Sequence, residues 1–301
     1  MQLELRDIYK SFGPKQVLQG VSFTAESGRA FGLLGRNGAG KTTSIRILMD
    51  VFPADSGEVL TDGEPIRYDQ VKIGYLPEER GLYPKKKIFD QLVYFARLQG
   101  MDRQSAGRAV DYWLKRLDMA EYRDKRLDTL SKGNQQKIQL VTALAHDPQI
   151  VILDEPFSGL DPVNAMLLKD VVKEEIGRGK IVLFSSHQMN YIEEFCDHIA
   201  ILQGGSIVLS GDLKEIKRSY PRNRLEIKSR EAEKIAQAFG GRLTGDETVL
   251  ITMKDPSEKA ALMQTLAAGF DVDEIRVFEP SLNDIFVEYT GDQEAAHHEA
   301  V

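Results

Sequence analysis

The sequence predicts an α/β fold built on a parallel sheet, and three observations support this. An apolar strand at residues 31–34 leads into a glycine-rich turn and then into an amphipathic helix. Residues 150–153 and 181–184 are continuous apolar runs of strand length, which are typical of parallel strands covered on both faces. A helical pattern precedes each of these two runs, so right-handed crossovers and a doubly wound sheet are expected.

The glycine-rich turn at residues 35–42 fits the phosphate-loop pattern G-x-x-x-x-G-K-[ST]. Its glycines allow the backbone to wind closely around a phosphate, and the N–H groups of the loop and helix point at the anion. Lys41 would offer a charge to the β- and γ-phosphates, and Thr42 a hydroxyl to Mg²⁺. The alternative, a chance match, is disfavoured by the flanking strand and helix. The predicted nucleotide contacts are Gly35, Arg36, Asn37, Gly38, Ala39, Gly40, Lys41, Thr42 and Thr43.

Composition narrows the class of protein. The chain has 301 residues and a net charge of −7, which fits one large domain or one with a small addition and disfavours nucleic-acid binding. The run Lys85-Lys86-Lys87 is a basic exception, interpreted either as a solvated turn or as a functional segment. The single cysteine, Cys196, excludes an internal disulfide. No signal peptide is visible at the start of the chain, and no apolar run reaches the roughly twenty residues of a membrane span.

The remaining elements follow in chain order. Antiparallel strands are expected within residues 2–30, a hairpin at 55–64, a short strand at 73–76, and helices from 88 to about 145. After Gly211 a strand–helix–strand–helix–strand series indicates a small α+β domain. We therefore predict a first domain at 1–215 with a helical subdomain at about 88–145, and an accessory domain at 216–290. A disordered tail is predicted at 291–301, whose His297-His298 pair is a poor metal site.

Two acidic residues follow the apolar strand at 150–153. Asp154 is suited to hold Mg²⁺, and Glu155 is placed to orient and deprotonate an attacking water. A plain turn is the alternative, which the upstream phosphate loop disfavours. A second helix start, at Ser131, fits either an ordinary N-cap or a second phosphate reader, and the local pattern leaves both open.

Taken together, these motifs resemble an ATP-binding cassette, the nucleotide-hydrolysing subunit of ABC transporters. The resemblance covers about residues 2–215. The segment 35–42 resembles the phosphate loop, 130–134 the signature motif Leu-Ser-Gly-Gly-Gln, 150–155 the magnesium strand, and 158–161 the D-loop. The implied fold class is α/β, a P-loop NTPase cassette with a mixed, mostly parallel sheet, an antiparallel β subdomain and a helical subdomain, plus a small C-terminal α+β domain.

The resemblance also implies roles for single residues. His187 resembles the switch histidine that senses the γ-phosphate, and Phe12 the aromatic that stacks on adenine; taken singly, each fits the core or the surface better. Ser131 and Gly133 would contact the nucleotide, as would Asp161 of the D-loop. Three further positions differ from the family pattern. These are Lys132 and Asn134, which replace signature residues, and Glu78, which stands where the family has a glutamine near Mg²⁺.

The function that the resemblance implies is ATP hydrolysis with Mg²⁺ by a dimer, of the chain with itself or with a related cassette, that drives a separate membrane permease. The segment 76–80, the segment 131–136 and the C-terminal domain resemble a bacterial exporter subgroup of the sodium-extrusion type. We expect a cytoplasmic protein, peripheral on the inner face of the membrane, with no nucleic-acid partner. The alternatives are a cassette ATPase acting on ribosomes or DNA, and a non-catalytic regulatory module.

Overall fold

The computed structural model describes residues 1–79, 81–158, 160–186, 188–221 and 223–291. The chain separates into two compact units. The first comprises Met1–Leu213 together with residues 286–291, and the second comprises Lys214–Ile285. A helix crosses each end of the second unit, Leu213–Ser219 at one end and Leu282–Thr290 at the other. The domain boundaries at 215 and 290 therefore stay a prediction.

A six-stranded sheet forms the centre of the first unit, in the order β10-β9-β3-β8-β7-β6. Four neighbouring pairs are parallel and only the edge pair, β10 with β9, is antiparallel, so the predicted mixed, mostly parallel sheet is confirmed. Strands β3, β7 and β8 are buried along their whole length, as continuous apolar runs require. The strands are β3 (Ala30–Gly35), β6 (Ile73–Leu76), β7 (Ile150–Asp154), β8 (Ile181–Ser185), β9 (His198–Gln203) and β10 (Ser206–Asp212).

An antiparallel sheet in the order β2-β1-β4-β5 adds a second layer to this unit. Its apolar residues alternate inward and join the central sheet in one hydrophobic core that includes Leu5, Phe23, Leu33 and Ile152. The strands are β1 (Gln2–Phe12), β2 (Lys15–Glu26), β4 (Ser56–Thr61) and β5 (Glu64–Pro65).

Helices cover the sheets and form the predicted helical region. Asp102 caps the helix Arg103–Arg116 by accepting hydrogen bonds from the backbone N–H groups of Gln104 and Ser105, 2.9 and 3.0 Å away. The helices of this unit are α1 (Lys41–Leu48), α2 (Ile88–Leu98), α3 (Arg103–Arg116), α4 (Lys132–Leu144), α5 (Pro162–Gly177) and α6 (Met189–Phe195), with short 3₁₀ turns at Ala120–Tyr122 and Leu127–Thr129.

The second unit has a four-stranded antiparallel sheet in the order β12-β13-β11-β14 and its own apolar core around Leu225, Ile235, Val249 and Leu266. Its β-α-β-β-α-β order is that of a ferredoxin-like domain. The elements are β11 (Arg224–Lys228), α8 (Ala232–Phe239), β12 (Arg242–Gly245), β13 (Thr248–Thr252), a 3₁₀ turn at Pro256–Glu258, α9 (Lys259–Gly269) and β14 (Glu274–Val277). Helices α7 (Leu213–Ser219) and α10 (Leu282–Thr290) flank it.

The strand β12 corrects the predicted strand–helix–strand–helix–strand series. All four of its residues are exposed, so its sequence lacks the apolar alternation that marks a half-buried strand. It forms by hairpin pairing with β13, which the local pattern does not reveal.

Candidate nucleotide-binding and catalytic site

The phosphate loop joins the end of β3 to the start of α1. Gly40 caps the helix with a φ of 116°, and a Cβ there would lie 2.5 Å from a methyl carbon of Leu18, so both conformation and space require glycine. No side chain caps the first turn and no acidic residue lies in it. The backbone N–H groups of this turn therefore suit a phosphate.

Lys41 folds back over the loop in this structure. Its Nζ donates to the carbonyl oxygen of Gly35 at 2.6 Å and to that of Arg36 at 3.3 Å. Burial lowers the pKa of its ammonium group, and three neighbouring carboxylates oppose that shift. The carboxylates belong to Glu155, Asp154 and Glu78. The sequence-predicted cation and acids therefore lie close enough to interact electrostatically.

Asp154 is the last residue of strand β7 and Glu155 follows it, and both are buried, with 4% and 6% of their surface exposed. Burial raises the pKa of the Asp154 carboxyl, and the charges of Glu78 and Glu155 also raise it. Glu155 has a φ of 49°, a left-handed conformation that is costly for a side chain with a Cβ. Its N–H donates to the carbonyl oxygen of Ser185 at 2.8 Å, which ties the turn to the neighbouring strand.

Two buried or half-buried hydroxyls hold these carboxylates, and the sequence analysis missed both. Ser186 donates to Oε2 of Glu155 at 2.9 Å and accepts from the backbone N–H of Gln188 at 3.0 Å. Tyr75, on β6, donates to Oδ2 of Asp154 at 3.3 Å. Only the register of the parallel strands brings these hydroxyls to the carboxylates, so no local motif could have revealed them.

The signature residues contact a different part of the molecule. Ser131 is the N-cap of α4 and accepts a hydrogen bond from the N–H of Asn134 at 3.3 Å. Gly133 is buried, and a Cβ on it would lie 3.0 Å from the side-chain nitrogen of Asn164. The same Asn164 donates through its backbone N–H to Asp161, 3.0 Å away, and this bond lowers the pKa of the aspartate. The signature and D-loop residues are thus neighbours.

The other predicted residues lie as follows. Phe12 ends β1, is 49% exposed, and makes an edge contact with Phe52 at 5.5 Å between centroids. Thr42 and the exposed Glu78 line one cleft together with Asp154. His187 and Gly159 of the D-loop lie outside the described residues, as do Arg80 and the His297-His298 pair.

Two family models match the chain. One, described as an ABC transporter, matches residues 18–158, and one described as the C-terminal domain of a DrrA1-3-like ATP-binding protein matches residues 211–290. The chain is also 44% identical over 296 residues to YhaQ, an uncharacterized ABC transporter ATP-binding protein of Bacillus subtilis. That match covers 96% of this chain and 98% of the relative. The chain belongs to the ABC transporter ATP-binding family. It is therefore an ATPase subunit of the kind that binds ATP and works with a membrane permease.

Two further matches agree with this family. A Nod factor export ATP-binding protein of Burkholderia lata is 33% identical over 213 residues, covering 69% of this chain and 70% of the relative. A solved ATP-binding subunit of an ABC transporter superposes with a TM-score of 0.66 at 28% identity, covering 72% of this chain and 92% of that one. These findings confirm the predicted family and cassette fold. They support the transporter subunit and not the alternative on ribosomes or DNA.

None of the helices in the described ranges combines the length and apolar character needed to span a bilayer.

Proposed function

We propose that this ABC transporter subunit hydrolyses ATP with Glu155 as the general base, at a site that two copies of the cassette complete. The observation that carries this proposal is the pair of buried carboxylates at the end of β7, electrostatically coupled to Lys41 of the phosphate loop. In this role Glu155 accepts a proton from the attacking water, and Ser186 holds its carboxylate in place. Lys41 turns from the loop carbonyls to the β- and γ-phosphates.

The residues present fit Mg²⁺. Burial and two neighbouring carboxylates raise the pKa of Asp154, which is the electrostatic signature of negative charge that a divalent cation would offset. No cluster of three or more metal-ligating side chains occurs in the described part of the chain, but Mg²⁺ commonly takes one or two protein ligands and completes its shell with phosphate and water. Thr42 and Asp154 would hold it, with Glu78 beside them. When bound, it would neutralise charge that develops on the phosphate oxygens.

A dimer accounts for the position of the signature motif. Ser131 and Gly133 belong to α4 and neighbour the D-loop, whereas the coupled charges cluster around Lys41. Because each chain carries one phosphate loop and one signature, a second cassette would present its Ser131 and Gly133 to the γ-phosphate. Asp161, at the start of α5, would then lie at the dimer interface. The helix N-terminus that Ser131 caps supplies N–H groups for that anion.

The permease contact is proposed at a cleft of about 1180 Å³ in the first unit. Residues of α2 line it together with Thr42 and Asp154, so a permease element that binds there would contact the nucleotide site. Apolar or aromatic residues line much of the wall, and Leu98 is 63% exposed. The wall residues include Met49, Val51, Tyr68, Leu82, Phe95 and Leu98. Binding there would place the chain on the inner face of the membrane, and the Nod factor export relative favours an exporter.

The test is to purify the tagged chain from detergent-solubilised membranes and identify what accompanies it by mass spectrometry. We expect a polytopic membrane protein, with less of it recovered by Leu98→Glu. The matched control is Leu243→Glu, which changes a leucine of the second unit that is 44% exposed. This variant should recover as much of the membrane protein as the wild type does. Recovery of ribosomal or DNA-bound proteins alone, with no membrane protein, would contradict the proposal.

A further inference from the structure

A basic surface on the helical region has no part in the site described above. Two segments, residues 84–87 and 123–126, pair side by side, and we call them the basic ribbon. The N–H of Asp128 donates to the carbonyl of Pro84 at 2.9 Å, the N–H of Ile88 donates to the carbonyl of Lys125 at 2.9 Å, and a β-bridge joins Lys87 to Arg126. The run Lys85-Lys86-Lys87 is therefore fixed on a hydrogen-bonded scaffold and is not a loose turn.

The ribbon concentrates positive charge in an acidic protein. Its eight residues include six basic ones and a single acid, Asp124, although the whole chain has a net charge of −7. The basic residues are Lys85, Lys86, Lys87, Arg123, Lys125 and Arg126.

The three lysines differ from the two arginines of the ribbon in having no acidic partner among the described residues. Arg123 pairs with Asp111 at 2.8 Å, and Arg126 pairs with Asp128. Lys85, Lys86 and Lys87 are exposed and make no ion pair with any residue that the structure describes. Three adjacent unpaired ammonium groups repel one another, so they are suited to an external anionic surface.

Exposed aromatic residues flank the same lysines. Tyr83 precedes the run and is 54% exposed, and Tyr94 on α2 is 51% exposed. Both rings pack on Phe95, at centroid distances of 6.1 and 5.6 Å, so they are held at the surface in defined positions. Tyrosines beside lysines are typical of surfaces at the boundary between water and lipid.

We propose that the basic ribbon binds the anionic headgroups of the bilayer directly, with Lys85, Lys86 and Lys87 as the main contacts. This inference deepens the proposed location beside a membrane permease and rests on it. The lysines follow closely on Leu82, which lines the proposed permease cleft, so a chain docked there would bring the ribbon towards the membrane surface. The cytoplasmic loops of membrane proteins carry an excess of Lys and Arg, so a basic surface matches the lipid better than the permease.

The first experiment measures binding of the 301-residue chain to permease-free vesicles by sedimentation. We expect binding to vesicles that contain phosphatidylglycerol at low salt, weaker binding at high salt, and none to phosphatidylcholine alone. Replacing Lys85, Lys86 and Lys87 by Gln should weaken binding by about a hundredfold, at roughly fivefold per lysine. The matched control replaces Lys214, Lys254 and Lys259 by Gln, the same charge change in the second unit, and should bind as the wild type.

A second readout locates the contact. In Tyr94→Trp, the new indole should shift to shorter wavelength on anionic vesicles and be quenched by brominated lipid. Trp113, only 4% exposed, provides the reference that does not respond. Equal binding by the lysine triple variant and the wild type, or no binding of the wild type, would overturn the proposal. So would loss of membrane binding by that variant only when the permease is present, because the partner would then be the permease. Co-purification of the permease is a separate result, so failure here leaves the proposed function standing.

Discussion

Ser186 orients the carboxylate of Glu155. Its hydroxyl donates to Oε2 at 2.9 Å, and its own orientation is set by the N–H of Gln188. A buried general base whose carboxylate rotates freely would spend less time aligned with water, and small misplacements of reacting groups are costly. Ser186 is therefore a positioning residue for the proposed base.

Ser186→Ala should lower the maximal ATPase rate by about ten- to a hundredfold, because the Glu155 carboxylate loses the hydroxyl donor that orients its Oε2. The KM for ATP should change little, since Ser186 is not among the predicted nucleotide contacts. Steady-state kinetics check both values, and Ser186→Thr, which retains the hydroxyl, should recover part of the rate. A raised KM with an unchanged maximal rate would contradict the positioning role.

At this scale the sequence reveals the residues of contiguous motifs and not those that act across strands. The phosphate loop was predictable because its phosphate-binding groups come from eight consecutive residues, so the pattern can be recognised in the sequence alone. Tyr75 and Ser186 lie 79 and 31 residues from the carboxylates they bind. Their contacts depend on the alignment of β6, β7 and β8, which no local pattern encodes.

Helix α4 is attached to strand β6 through a buried histidine. His146, just after the helix, is 2% exposed, and its Nε2 lies 3.2 Å from the carbonyl oxygen of Ile73. Burial lowers its pKa below the usual value of 6.5, despite the hydrogen bond to Ile73. Around it lie Lys72 and Lys180, which lower the pKa, and Asp147, which raises it.

This burial predicts a pH dependence of stability. Because the pKa of His146 is lower in the folded protein, the unfolded chain binds the proton more readily. The contribution of neutral His146 to the free energy of unfolding is therefore fully present above about pH 6.5, and it is lost as the pH falls towards the folded pKa. The loss is at most about 1.4 kcal/mol per pH unit. Urea unfolding between pH 8 and 5.5 should show that the free energy of unfolding depends less on pH in His146→Gln than in the wild type. Parallel profiles would show that His146 does not carry the dependence.

At the element scale, long periodic segments were predicted well, whereas the strands β9, β10 and β12 were not predicted. The helix that starts at Ser131 and the apolar strands β7 and β8 match their predicted positions within a residue or two. Strand β12 was missed because all of its residues are exposed, so it exists only through pairing with β13.

The two units of the molecule each have a hydrophobic core of their own. A nucleotide that binds only the first unit should therefore stabilise that unit alone. At a hundredfold excess over its dissociation constant, a non-hydrolysable ATP analogue adds about 2.7 kcal/mol to the free energy of unfolding of the first unit. This raises the midpoint temperature of its thermal unfolding by roughly 5–10 °C. Calorimetry should show two transitions, of which one moves with the analogue. A single transition that moves as a whole would contradict independent units.

We propose that Glu155 is the general base of a site that two cassettes share. The measurement is ATPase rate and sedimentation velocity of Glu155→Gln with ATP and Mg²⁺, beside the exposed control Glu233→Gln. We predict that the ATPase rate of Glu155→Gln falls by at least about a hundredfold while ATP drives the variant into a stable dimer. The control should hydrolyse ATP as the wild type does. Wild-type turnover by Glu155→Gln, or a monomer at saturating ATP, would contradict the claim.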